Sequence, residues 1–150
     1  MELKVPPVLV FLSFGLIMYL VGLFLPVGYF DFFGRFLLAK ILVVLAGFIG
    51  LVSVYQFLKR KTSLDPMHPE KVNQLVTTGL YKYSRNPMYL ALLLFLLGFG
   101  LYLGNAFNTL VAAGFVAYMN RFQIVPEERI LLDRFGKEFK SYQIATRRWF

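Results

Sequence analysis

Two short stretches of a mostly apolar chain carry residues able to do chemistry: Ser84-Arg85-Asn86-Pro87-Met88-Tyr89, preceded by Tyr81 and Tyr83, and Pro126-Glu127-Glu128. In the first, Asn is a favoured helix N-cap and Pro a favoured first helical residue, so Asn86-Pro87 reads as a helix start. The unpaired N–H groups of such a start, the positive end of its dipole and the Arg85 guanidinium would together bind a carboxylate. The tyrosines offer faces for a ring or a cation, and equally suit a membrane interface. In the second, two scarce acids follow a proline with no N–H to give to the carbonyl of Phe122. Ordinary helix-start chemistry, with proline at the first position and acids in the first turn, explains that pattern as well. Adjacent helical side chains point about 100° apart, so one of Glu127 and Glu128 can face a given pocket while the other pairs with an arginine. Glu127 is the favoured inward acid, because it lies nearest the carbonyl that Pro126 frees. A positive helix start opposite carboxylates, with tyrosines between, suits a mixed-charge ligand carrying a ring.

Apolar helices must position these stretches. Of 150 residues 58% are hydrophobic and 16% charged, and the mean hydropathy of +0.63 lies above the soluble range. Four stretches approach the roughly 20 residues that a bilayer crossing needs: 5–25, 36–58, 87–103 and 106–125. The third would cover about 26 Å at 1.5 Å per residue. The first is longer than a signal-peptide core and lacks a small-x-small cleavage pattern, so it reads as a retained span. The tight Gly104-Asn105 corner makes spans three and four an antiparallel hairpin, which brings both chemical stretches to one mouth. Gly98, Gly100 and Gly104 lie in an apolar helix with no strand before it, which points to close helix packing and not to a nucleotide loop. Beyond the spans, Leu131, Phe135, Phe139, Tyr142 and Ala145 recur at helical spacing, with a break expected at Gly136. Trp149 and Phe150 read as an interfacial anchor. The expected fold is all-α: one integral-membrane bundle over 1–150, with about four transmembrane helices and an amphipathic helical segment after them.

The net charge of +8 follows from topology. Fourteen of the sixteen Lys and Arg residues fall on the side shared by both termini and by segments 59–86 and 126–150, leaving Arg35 and Lys40 opposite. The positive-inside rule makes that side, and both termini, cytoplasmic, and it removes the need for nucleic acid as a partner. With no cysteine and a single histidine, His68, no metal site is expected. The absence of any acid at a span centre disfavours a proton relay or ion pathway.

The runs "TSLDPMHPEKVNQLVTTGLYKYSRNPMYL", "LYLGN" and "RFQIVPEERILLDRFGKEFKSYQ", over roughly Thr62 to Tyr142, carry a family likeness. Here the chain resembles the isoprenylcysteine carboxyl methyltransferase and phospholipid methyltransferase superfamily of integral-membrane enzymes, especially its small prokaryotic members. The first two spans match only as spans. The resemblance implies methyl transfer from S-adenosylmethionine to a lipophilic acceptor (carboxylate, amine or thiol) in a prokaryotic inner membrane. It implies a cofactor pocket at the cytoplasmic mouth, with Gly79, Leu80, Tyr81, Tyr83, Arg85, Asn86, Pro87, Met88, Tyr89, Glu127 and Glu128 as its binding residues. Arg85, Glu127 and Glu128 would carry the reaction: Arg85 and the Asn86 helix start on the cofactor's carboxylate, and Glu127 or Glu128 on its positive groups. The family's first motif often reads Arg-His-Pro. Asn86 stands where that histidine would be, which puts a histidine base in doubt, and Gly79-Leu80-Tyr81 stands for the usual Gly-Pro-Tyr. A non-catalytic lipid-binding or assembly protein of the same fold is the alternative.

Overall fold

The computed structural model describes residues 3–25, 27–59 and 74–150, so His68 and the cations Arg60, Lys61 and Lys71 lie outside the described residues. The described residues are helical and contain no strand. Helices α1 (Pro7–Phe24) and α2 (Arg35–Lys59) are followed by a 3-10 turn (Gly79–Lys82), α3 (Pro87–Leu103) and α4 (Asn108–Met119). A π-turn (Asn120–Ile124) then leads into α5 (Val125–Phe135) and α6 (Lys137–Ala145).

Among the described residues, α1 and α2 are the helices both long and apolar enough to cross a membrane; α3 is apolar but has 17 residues. Large apolar side chains such as Leu12, Leu16, Val44, Phe48 and Leu51 point outward. In water that arrangement would waste the hydrophobic effect, whereas against lipid tails it is neutral. The buried interior lies between α1, α3 and α4, around Val10, Met18, Leu96, Phe115, Met119 and Ile124. Helix α2 instead lies along α3 at close range. A Cβ on Gly98 would stand 3.0 Å from Val43 and 3.1 Å from the Ala39 carbonyl oxygen, so only glycine lets the two backbones approach this far.

At one end of the bundle, α3 stops at Gly104 in the left-handed conformation (φ 68°), its N–H reaching the carbonyls of Gly100 and Leu101. Asn105 donates to the Leu25 carbonyl at 2.8 Å, and Phe30 N–H to the Gly104 carbonyl at 2.9 Å, tying the α1–α2 loop to the hairpin corner. Arg35 is buried there between the Phe30 carbonyl and Asp31, so this cation acts as an internal strut, while Lys40 is exposed.

At the opposite end one expectation is corrected. The fourth apolar stretch, expected over 106–125, does not stop before a new helix at Pro126. The backbone stays right-handed helical from α4 through the π-turn into α5. The wider turn absorbs the proline, as such insertions do at sites where the regular ladder is interrupted. The Phe122 carbonyl, which Pro126 cannot serve, accepts the Leu3 N–H at 2.9 Å, so it is not left for Glu127. The break at Gly136 (φ 51°) occurs as expected. Phe139 and Tyr142 turn inward, whereas Ala145 faces out.

Candidate functional site

The site is built where the end of α2, the 3-10 turn, the start of α3 and helices α5 and α6 meet. Gly79 (φ 65°) sits against the Gln56 side chain, whose Oε1 accepts the Leu80 N–H at 3.2 Å, clamping the turn to the last turns of α2. Tyr81 therefore drops inside with its ring 5.1 Å from that of Phe57, while Tyr83 points away, 73% exposed. Next along the chain, Ser84 and Arg85 meet the segment that follows α6. Arg85 N–H donates to the Arg147 carbonyl at 2.9 Å, and Ser84 Oγ donates to that of Arg148 at 3.2 Å. Asn86 occupies the N-cap position of α3, but its side chain does not cap. Its Nδ2 donates to the Arg148 carbonyl at 3.1 Å. The amide nitrogen is turned to the returning segment, while the amide oxygen takes no N–H of the first turn of α3.

The two adjacent acids divide. Glu128 lies between two arginines: Arg85 Nη2 at 2.7 Å from Oε1, and Arg148 Nη2 at 2.7 Å from Oε2. Burial opposes its charge, yet the hydrogen bonds and charges of Arg148 and Arg85 prevail and hold its carboxyl below the usual range. The bond to Glu128 in turn raises Arg148 above its usual value. Arg85 Nη1 donates to the carbonyls of Gln143 and Thr146, so four of its five N–H groups are engaged by protein. Glu127 accepts a hydrogen bond from the Tyr89 hydroxyl, and no cation pairs with it among the described residues. Burial pushes the Glu127 carboxyl up to about 8; the Tyr89 bond opposes that rise and the charge of Glu128 adds to it. Among the described residues Glu128 is thus the arginine-paired acid and Glu127 is not, but both border the same cavity, so the expectation that only one of the two could face it does not hold.

These groups border a cavity of about 70 Å³ lined by Phe57, Gln74, Leu75, Val76, Tyr81, Arg85, Asn86, Glu127, Glu128, Leu131, Phe139 and Tyr142. Tyr142 donates its hydroxyl to the Tyr81 carbonyl at 2.5 Å, and the Tyr81 hydroxyl is buried with no partner. Burial raises the pKa of both phenols well above the ordinary value, which keeps them neutral. Of the residues singled out from sequence, Tyr81, Arg85, Asn86, Glu127 and Glu128 line this space, and Tyr89 joins it through Glu127. Gly79 and Leu80 set the turn that places Tyr81, while Pro87, Met88 and Tyr83 do not line it. Phe57, Gln74, Leu75, Val76 and Arg148 had not been singled out; nothing in an apolar run or a basic tail distinguishes them. Leu131, Phe139 and Tyr142 were visible only as an apolar stripe. Trp149 is not a free anchor. Its Nε1 donates to Asn120 Oδ1 at 3.0 Å and its ring packs on the core, pinning the last residues to the π-turn.

Residues 34–138, which include both chemical stretches, match the phospholipid methyltransferase family. The chain belongs to that family. Membership in this methyltransferase family, together with the two long apolar helices, makes it a membrane protein. Over 62 residues it is 45% identical to an uncharacterized protein of Haemophilus influenzae, covering 41% of this chain and 98% of that protein. Over 73 residues it is 33% identical to the protein-S-isoprenylcysteine O-methyltransferase of Schizosaccharomyces pombe, covering 49% of this chain and 31% of that enzyme's length. No solved structure matches the chain.

Proposed function

We propose that this member of the family transfers a methyl group from S-adenosylmethionine to a lipophilic acceptor at the cytoplasmic face of a prokaryotic inner membrane. In this reading α1, α2, α3 and the continuous run of α4 with its π-turn cross the bilayer, and both termini are cytoplasmic. The supporting observation is a carboxyl without a cation among the described residues, Glu127, beside an unpaired buried phenol, Tyr81, at the end of the bundle where the basic residues gather. Those groups fit the positively charged part of the methyl donor, since a buried polar group left without a partner favours whichever ligand supplies one. When bound, S-adenosylmethionine supplies an electrophilic methyl on a sulfonium.

The chain's own residues do the rest. Arg85 ties α3 to α5 through Glu128 and to the end of α6 through the Gln143 and Thr146 carbonyls, holding the walls of the cavity together. Its remaining N–H and the uncapped start of α3 are open to a carboxylate. Glu127 faces the positive charge. A soluble donor and a greasy acceptor can meet only at an interface, and this end of the bundle provides one. A carboxylate or thiolate acceptor would need no strong base there, only alignment at near-attack distance.

Binding of labelled S-adenosylmethionine to the full chain in lipid nanodiscs tests the reading. Saturable binding that weakens in Glu127→Gln is expected. A folded, inserted protein that binds none would instead be a lipid-binding or assembly protein of this fold. Reporter fusions should place residues 27–34 outside and residues 126–150 inside; the reverse would move the site to a compartment without donor.

A further inference from the structure

Four aromatic rings border the cavity from three elements: Phe57 from α2, Tyr81 from the 3-10 turn, and Phe139 and Tyr142 from α6. They stand as two tilted pairs. The Phe57 and Tyr81 centroids are 5.1 Å apart with planes at 59°, and those of Phe139 and Tyr142 are 6.2 Å apart at 60°. The Tyr142 hydroxyl, bonded to the Tyr81 carbonyl, ties one pair to the other. Set into this wall are Glu127, with no cation of its own among the described residues, and the unpaired Tyr81 hydroxyl. Arg85 is the cation lining the cavity among the described residues, and Glu128 already neutralises it.

Aromatic faces beside an unneutralised carboxylate attract a bulky, weakly hydrated cation, and quaternary ammonium groups are the usual beneficiaries. The size of the space agrees. A water molecule needs about 10–15 Å³ measured this way, so about 70 Å³ accommodates a body of roughly five water-sized groups. That is the bulk of a nitrogen or sulfur bearing its methyl groups, and far less than the roughly 300–1,000 Å³ that enclose an entire drug-sized ligand.

We infer that Phe57, Tyr81, Phe139 and Tyr142, with Glu127 as counter-charge, form a seat for a methylated onium group, either a sulfonium or a quaternary ammonium. The identity of the onium rests on the proposed methyl transfer; the existence of the seat does not. A methyl donor presents a sulfonium, and a fully methylated amine presents an ammonium of nearly the same size and charge. One seat serves both, so the two compete. Among the described residues, the titratable and charged groups facing Glu127 are Tyr89 from α3, Tyr81 from the turn, Tyr142 from α6, its neighbour Glu128 and, beyond that, Arg85. The phenols at the cavity stay neutral and Glu128 stays charged, which leaves Glu127 as the cavity group that titrates near neutrality among the described residues. Its ionised form holds the cation, so affinity should climb up to about tenfold per pH unit until about pH 8 and then level off.

The probe is tetramethylammonium, titrated into the full chain in nanodiscs of phosphatidylglycerol without choline lipids, at salt high enough to screen the lipid charge, and read by saturation-transfer NMR. Trimethylsulfonium is the second probe and tert-butanol the uncharged isostere. Both cations should saturate with dissociation constants within about threefold of each other. Tert-butanol should show no saturable signal. Glu127→Gln should weaken both cations at least tenfold at pH 8.5, and Phe57→Leu several-fold in a protein whose thermal unfolding is otherwise retained. Equal signals from tert-butanol, unchanged binding in Glu127→Gln, or no binding of either cation would overturn the seat. Displacement of the probe by S-adenosylmethionine, by a short-chain phosphatidylcholine or by both tells which onium the seat serves; displacement by neither overturns it. A protein that binds labelled S-adenosylmethionine but no onium probe refutes the seat alone. One that binds the onium and releases it to phosphatidylcholine, but binds no S-adenosylmethionine, refutes the methyl-transfer reading alone.

Discussion

Replacing each of the two adjacent acids by glutamine should give opposite outcomes, although the substitutions are chemically identical. Glu128 and Arg85 are each 10% exposed, and Glu128 also holds Arg148, which is 42% exposed. Removing one partner of a buried ion pair costs about 3–5 kcal/mol because the other charge is stranded, whereas an exposed pair adds only about 0–1. Glutamine keeps one acceptor oxygen, so Glu128→Gln should destabilise by about 3 kcal/mol. Among the described residues Glu127 has no cation to strand, and glutamine can still accept the Tyr89 bond. Its carboxyl has a folded-state pKa of about 8 against an ordinary value of 4.5. Between those values the folded chain keeps a proton that the unfolded chain releases, so stability falls as pH rises, by at most about 1.4 kcal/mol per unit, and is flat above pH 8. Glu127→Gln should therefore match the parent near pH 5 and exceed it at pH 8.5. Glu128 has the opposite sign: its contribution is complete above 4.5 and is lost only as pH falls through its lower folded value. Denaturant unfolding in detergent, followed by circular dichroism at pH 5 and 8.5, separates the two. Equal losses in both variants, or a parent protein that grows more stable from pH 5 to 8, would refute this division of roles.

Two further outcomes follow from backbone and packing. Gly79→Ala adds a clash with the Gln56 side chain to the strain of a positive φ and should cost about 2–3 kcal/mol, whereas Gly136→Ala carries backbone strain alone (φ 51°, ψ −118°), facing open space, and should cost about 1–2; thermal unfolding of both variants checks the order. Tyr142→Phe removes the bond to the Tyr81 carbonyl and should cost about 1 kcal/mol, with donor binding reduced because Tyr81 loses its tether; an unchanged variant would mean that α6 does not hold the turn.

The apolar runs made the helices legible, because length and lipid compatibility depend on composition alone; α1, α2 and α3 begin and end within two residues of the expected stretches. The Gly104 corner and the Gly136 break were legible for the same local reason, a residue able to take positive φ. What failed was inference about partners. Asn86 sits at a cap position but bonds the Arg148 carbonyl, and Pro126 looks like a helix start but rides on a π-turn whose freed carbonyl goes to Leu3. In each case a segment distant in sequence supplies the partner, and no local pattern announces it. The site divides the same way. Arg85 and the two glutamates stood out as rare charges at span ends, whereas Arg148 and Phe57 are ordinary members of a basic tail and an apolar run, and the fold alone makes them part of the cavity.

The most direct test of the central claim is transfer of labelled methyl from S-adenosylmethionine by the nanodisc-embedded chain to a panel of lipophilic carboxylic acids, amines and thiols. The account predicts label in at least one lipophilic acceptor, at a rate reduced by at least tenfold in Glu127→Gln while Gly136→Ala retains most of it. No transfer to any member of the panel by a folded protein that binds S-adenosylmethionine, or transfer that Glu127→Gln leaves unchanged, would contradict it.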